Sequence, residues 1–133
     1  MTAAVITRTR TASYVRSGLA ATVAASVATT SVAAAGNAAG ISLDVSGAPI
    51  PLAGFAQLTA FFSLVGLALA AVLVRKAKSA GRTFVQATVV LAALSLVPDM
   101  VVPAGIATRA LLITTHLVAA AIVIPAIARR LPR

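Results

Sequence analysis

The segment 52–74, LAGFAQLTAFFSLVGLALAAVLV, decides the fold class of this chain because it carries no charged side chain. At a rise of 1.5 Å per residue, a helix of this length crosses a hydrocarbon core about 30 Å thick. Lipid offers no hydrogen-bond partner to the backbone, so a continuously apolar segment of this length predicts a transmembrane α-helix. A membrane β-strand would alternate apolar and polar residues, and this segment does not.

Three further segments are apolar enough to span a bilayer, and loop-forming or basic residues separate them. The loop 36–51 is rich in Gly, Pro, Asn, Asp and Ser, 75–83 is a short basic connection, and 103–106 is a tight turn. Pro98 is predicted to kink or end its span. The chain is therefore predicted to be an all-α, integral membrane four-helix bundle forming a single domain over 1–133, with spans at 17–35, 52–74, 84–102 and 107–128.

The composition excludes several classes of protein. The 133 residues are 60% hydrophobic and only 10% charged, and a soluble domain of this size has too little interior to bury so much apolar surface. The absence of cysteine excludes a disulfide scaffold, an iron–sulfur protein and thiol catalysis. Aromatic residues make up 4%, too few for the stacking platforms of a nucleic-acid-binding protein, so no nucleic-acid partner is expected despite the net charge of +9.

The positive charges predict the topology. Ten of the eleven basic residues fall in three short clusters, at the start of the chain, in the 75–83 connection and at the end. Four spans place all three clusters on one side, and the positive-inside rule makes that side cytoplasmic. We therefore expect a multi-pass protein of the bacterial plasma membrane with cytoplasmic N- and C-termini. Its predicted partners are anionic lipid head groups, which the following residues are expected to contact: Arg75, Lys76, Lys78, Arg82, Arg129 and Arg130.

The first span has a second interpretation. A basic start, an apolar stretch and the small residues 33–35 also resemble a secretory signal peptide, whose removal would leave three spans. The apolar stretch is longer than the 7–15 residues usual for such signals. Both interpretations remain open from the sequence, and the longer stretch favours a retained span.

Small residues recur in the spans at spacings that suit close helix packing. The Ala-rich composition alone could also produce such a pattern by chance. If the pattern is functional, the first span is the packing centre of the bundle or of an assembly with a second copy or another membrane protein. The predicted packing positions are Gly18, Thr22, Ser26, Thr30 and Gly66.

Three ionisable residues lie within the last two spans: Asp99, Arg109 and His116. An Asp99–Arg109 ion pair across the short turn is predicted to act as a structural contact at the membrane surface. The alternative is a polar vestibule that narrows to His116 and carries a proton or an anionic ligand. Metal-ligand spacing, a glycine-rich phosphate loop and a nucleophile elbow are all missing, so no metal, cofactor or enzymatic activity is expected.

The stretch 94–130 carries SLVPDM and then ATRALLITTHLVAAAIVIPAIARR, with HLVAAA at 116–121, Ile124-Pro125 and Arg129-Arg130. This stretch, together with PIPLAGFAQLTAFFSLVGLALA at 49–70, resembles small four-span membrane proteins of actinobacteria that share a domain of unknown function. The resemblance implies four spans and a plasma-membrane location, and it implies no activity. Two functions therefore remain: a non-enzymatic subunit or accessory of a membrane assembly, or a small transporter or channel that uses the three ionisable residues.

Overall fold

A computed structural model describes the backbone of residues 2–133 and the side chains of residues 12–133. The structure is 80% helical, which confirms the all-α prediction. Each of the four helices in the described part is long and apolar enough to cross a membrane, so the chain has the architecture of a multi-pass membrane protein. The helices are α1, Thr2–Ala38; α2, Leu52–Lys76; α3, Ala80–Val101; and α4, Ile106–Ala128.

Helix α1 is the most extensively packed element, because it lies along both α2 and α4. Helix α4 also packs on α3, whereas α2 and α3 meet less extensively. Apart from Tyr14, the inward face of α1 consists of small residues, so its neighbours approach its backbone closely. A Cβ atom added to Gly18 would lie 2.6 Å from Leu67 Cδ1, and one added to Gly36 would lie 2.9 Å from Leu111 Cδ1.

Two apolar clusters fill the interior near opposite ends of the helices. One cluster joins Tyr14 of α1 to Phe84 of α3, Ile127 of α4 and Leu131 beyond it. The other joins Ala33, Leu43, Phe55 and Leu111 at the far end of the molecule. The two clusters fix both ends of the helix assembly and leave large apolar side chains of α2 and α3 on the outside, as expected of faces that meet lipid.

A short β-hairpin lies between α1 and α2, within the segment predicted only as a loop. Strands β1 (Asp44–Val45) and β2 (Ala48–Pro49) pair antiparallel across a two-residue turn. Ser46 and Gly47 both have positive φ, 55° and 85°, which is the conformation of a type I′ turn. The Ser46 N–H donates a 2.9 Å hydrogen bond to the Pro103 carbonyl, so the hairpin docks on the α3–α4 connection.

Proline lies near the end of the last two helices. Pro98 has no N–H to donate, and α3 ends at Val101, less than one turn later. The Val102 N–H donates to the Pro98 carbonyl at 2.9 Å and closes that last turn. Pro125 lies in the last turn of α4, which continues to Ala128. Pro98 therefore marks the end of its helix, as the sequence predicts.

Candidate functional site

The polar site lies where the end of α3 meets α4, on the side of the molecule that carries the hairpin. Asp99 is near the C-terminal end of α3, and His116 is about three turns into α4. The His116 Nδ1 atom lies 2.7 Å from Asp99 Oδ2. The Asp99 side chain is 14% exposed and that of His116 is 40% exposed, so the carboxylate is the more enclosed partner.

The contact between Asp99 and His116 is close but poorly directed. The Oδ2 atom is buried and receives no hydrogen bond of acceptable geometry, although the ring nitrogen lies within 2.7 Å. The contact joins a carboxylate oxygen of α3 to a ring nitrogen of α4, so it bridges the two helices at this point.

Arg109 does not pair with Asp99, and the predicted ion pair is wrong. Among the described side chains, the cation within 4.0 Å of the carboxylate is His116. The guanidinium of Arg109 instead donates to the Met100 carbonyl at 3.2 Å, and its Nε atom is buried without a partner. The last carbonyls of a helix lack intrahelical donors and carry partial negative charge, so they attract a cation. Arg109 therefore caps the end of α3.

Two threonines of α4, each one residue before a residue of the polar site, are buried and hydrogen-bonded to main-chain carbonyls. Thr108, one residue before Arg109, donates a hydrogen bond to the Ser42 carbonyl. Thr115 is buried and donates to the Leu112 carbonyl of its own helix at 2.8 Å. Within the described residues, no three His, Cys, Asp or Glu side chains come together as a metal site would require. The arrangement can hold two helices together or hold one proton.

The predicted packing positions have different surroundings. Gly18 contacts Leu67 directly, and the Thr22 hydroxyl donates to the Gly18 carbonyl at 2.8 Å. The Ser26 hydroxyl crosses to α2 and donates to the Ala56 carbonyl at 3.3 Å. The Thr30 Oγ1 atom is buried and has no hydrogen-bond partner. Gly66 is not a close-approach point within this chain, because a Cβ atom there would meet nothing within 4 Å.

Apart from Arg109, the basic side chains of the described residues gather at the opposite end from the polar site. They lie in the N-terminal half of α1, from the end of α2 to the start of α3, and at and beyond the end of α4, and all of them are exposed. The side chains of Arg8 and Arg10 lie outside the described residues. One end of the molecule is therefore strongly cationic through the exposed residues Arg16, Arg75, Lys76, Lys78, Arg82, Arg129, Arg130 and Arg133.

A family model described as "Family of unknown function (DUF6069)" matches residues 9–133. The chain belongs to this family. The match includes the polar site, the packing face of α1 and the cationic end, and it confirms the resemblance to a family of unknown function. No curated protein and no solved structure gives a significant match to the chain. The family is one of unknown function, so membership does not indicate an activity for this chain. The function is inferred from the helix faces, the polar site and the cationic end.

Two contacts between helices of this DUF6069-family chain are not evident from its sequence. The Thr29 and Thr59 hydroxyls lie 2.9 Å apart and join α1 to α2. The Ser17 hydroxyl donates to the Ala126 carbonyl at 2.8 Å and joins α1 to the end of α4. Each hydroxyl is visible in an apolar span, but spacing along one helix does not show which residue of another helix lies opposite.

Proposed function

We propose that the protein is a non-enzymatic, multi-pass protein of a bacterial plasma membrane that serves as a subunit of a larger membrane assembly. Both termini are proposed to be cytoplasmic, because the exposed basic residues gather at one end and the positive-inside rule assigns that end to the cytoplasm. The polar site then lies near the outer surface and holds α3 to α4. The inventory of polar groups in the spans supports a structural role over a catalytic one.

The observation that carries this proposal is a difference between the exposed faces of the helices. The outward faces of α2 and α3 present large apolar side chains, including Phe61, Phe62 and Leu94, which suit lipid. The outward face of α1 instead presents mostly small side chains at helical spacing, with Leu19, Val23 and Val27 as its larger exposed residues. The small exposed residues are Ala20, Ala24, Ser31 and Ala35.

A groove between α1 and α2 continues this small-residue face. It has a volume of about 400 Å³, and its walls include Ser26, Thr30, Ala34 and Ala56. Thr30 lines this groove, and its hydroxyl oxygen is buried behind the surface without a hydrogen-bond partner. Helices associate in lipid by close packing of small residues and by hydrogen bonds across the contact, and lipid supplies neither. We propose that a transmembrane helix from a second copy of this chain occupies the groove.

Cysteine cross-linking tests the proposal cleanly, because the chain has no cysteine of its own. In native membranes, Ser31→Cys should form a disulfide-linked dimer on mild oxidation. Leu94→Cys, on the lipid-facing side of α3, is the matched exposed control and should stay monomeric. Adding Ala34→Leu to fill the groove should abolish the Ser31→Cys dimer. The absence of a dimer, or equal dimer formation by both cysteine variants, would refute the proposed contact.

A transporter or channel is the alternative, and the contact between Asp99 and His116 is the observation in its favour. That pair could pass a proton if a water path reached it from both sides. Proton flux into vesicles reconstituted with the purified chain separates the two functions. We expect no flux above that of empty vesicles. A flux that His116→Ala abolishes would replace the subunit proposal with a transporter.

A further inference from the structure

An open groove lies at the cationic end, between the first turns of α3 and the residues that follow α4. Its volume is about 620 Å³, and three arginines line it: Arg82, Arg129 and Arg133. Ser79 and Gln86 add a hydroxyl and an amide to the same lining. Ser79 is the N-cap residue of α3 but makes no side-chain capping hydrogen bond, so its hydroxyl is not engaged by the helix it precedes.

These arginines have no Asp or Glu side chain of this chain close enough to neutralise them. The chain has two acidic residues, and both lie toward the hairpin end, Asp44 in β1 and Asp99 at the end of α3. In the part of the chain that the structure describes, no guanidinium lies within 4.0 Å of a carboxylate. Like charges gathered in one groove repel one another, so binding of an anion stabilises the arrangement.

The groove is built on a fixed frame. The Gly81 N–H, in the first turn of α3, donates a 2.8 Å hydrogen bond to the Pro132 carbonyl. A Cβ atom at Gly81 would lie 3.2 Å from that oxygen, so the residue must be small for the two segments to meet. Leu131 is 6% exposed and anchors the segment in the interior cluster with Phe84. The arginines therefore project from two segments that are joined before any ligand arrives, which lowers the cost of binding.

We propose that this groove binds the phosphate of an anionic phospholipid. Guanidinium groups bind phosphate oxygens through paired hydrogen bonds, and basic pockets between transmembrane helices are a recognised site for anionic head groups. An apolar wall favours a lipid over free phosphate. Val85 lines the groove, and Val89 lies one turn further along α3, with its side chain exposed, so an acyl chain can run along the helix below the head group.

The inference rests on the proposed placement of the cationic end at the membrane surface, and its test does not depend on orientation. The full-length chain in mild detergent is titrated with phosphatidylglycerol, and binding is followed by native mass spectrometry, with phosphatidylcholine as the neutral control. The double variant R82Q/R129Q should lose about 10- to 30-fold in affinity for phosphatidylglycerol. The variant R75Q/K76Q removes the same charge from the same end outside the groove and should change affinity by less than about twofold.

Three results would overturn the inference: equal loss in both double variants, equal binding of the two lipids, or displacement of the lipid by millimolar inorganic phosphate. The first would indicate attraction to the whole cationic end, the second an apolar site, and the third a site for free phosphate. A protein in a detergent micelle has no cytoplasmic or outer side, so lipid binding there does not depend on the proposed orientation. The proposed dimer contact lies on α1, away from the arginine groove. Failure of lipid binding therefore leaves the cross-linking result unaffected, and failure of cross-linking leaves the lipid result unaffected.

Discussion

At the scale of single residues, Gly18 and Gly66 make the clearest comparison. Replacing Gly18 by Val places a Cβ atom 2.6 Å from Leu67 Cδ1 and 3.4 Å from Ile127 Cγ1, so Leu67 must change its side-chain conformation or α1 must move away from α2. We expect Gly18→Val to lower the free energy of unfolding by about 1–3 kcal/mol, the usual cost of overpacking. Denaturant-induced unfolding in detergent micelles, followed by circular dichroism, measures the loss.

Gly66→Val is the matched control, because the same substitution in another span meets nothing within 4 Å. It should change stability by less than about 0.5 kcal/mol. Equal losses for both variants would show that the packing of α1 against Leu67 is not what Gly18 provides. Both glycines are predicted from the sequence to be packing positions, because a small residue in an apolar span lets a neighbouring helix approach closely. Only the position of the neighbouring helix distinguishes them.

At the scale of helices, the pair Asp99 and His116 is expected to hold α3 to α4. Helix α3 has the least buried span of the four, so a polar contact near its C-terminal end should contribute measurably to its attachment. We expect a double-mutant cycle with Asp99→Ala and His116→Ala to give a coupling free energy of about 0.6–1.7 kcal/mol, the range measured for polar contacts within membranes. Thermal unfolding in micelles at a pH where the imidazole is protonated provides the four stabilities.

The control cycle pairs Asp99→Ala with Thr114→Ala. Thr114 is exposed on α4, and its hydroxyl donates to the Ala110 carbonyl of its own helix at 2.8 Å. Its coupling to Asp99 should be near zero. Additive effects of Asp99→Ala and His116→Ala would mean that their 2.7 Å contact contributes nothing to the attachment of α3.

The helices could be predicted from the sequence, because a membrane span needs about 20 apolar residues and the length of each apolar segment can be read from its hydropathy. The hairpin at residues 44–49 could not, since strands of two residues give no alternating pattern and only the turn at Ser46–Gly47 marks them. The partner of Asp99 was predicted wrongly for a different reason. Which residue of α4 lies beside Asp99 depends on how the turn between α3 and α4 positions the two helices along each other.

At the scale of the whole molecule, the separation of charge predicts the orientation in the membrane. We expect Ser46→Cys, in the hairpin, to react with a membrane-impermeant maleimide in intact cells. Lys78→Cys, at the cationic end, should react only after the cells are opened. Both positions are exposed in the structure, so a difference in labelling reports sidedness rather than burial. The opposite pattern would contradict cytoplasmic termini.

Whether α1 remains in the mature protein decides whether four helices or three form the assembly. Loss of α1 would uncover Leu67 and Leu111, which pack against Gly18 and Gly36. It would also leave the Thr59 hydroxyl in lipid without Thr29. Polar groups without partners are costly there, so we expect α1 to be retained. The intact mass of protein purified from membranes should be that of the full 13.2 kDa chain.

The control for this measurement is Ala35→Leu, which places a large residue after the small residues 33–34 and would block cleavage by a signal peptidase. Ala35 is exposed, so the substitution leaves the packed face of α1 intact. Wild type and variant should differ in mass only by the substituted side chain. A wild-type mass lacking about the first 35 residues, restored to full length in Ala35→Leu, would show that α1 is a signal peptide. The contacts that α1 makes with α2 and α4 would then belong only to the precursor.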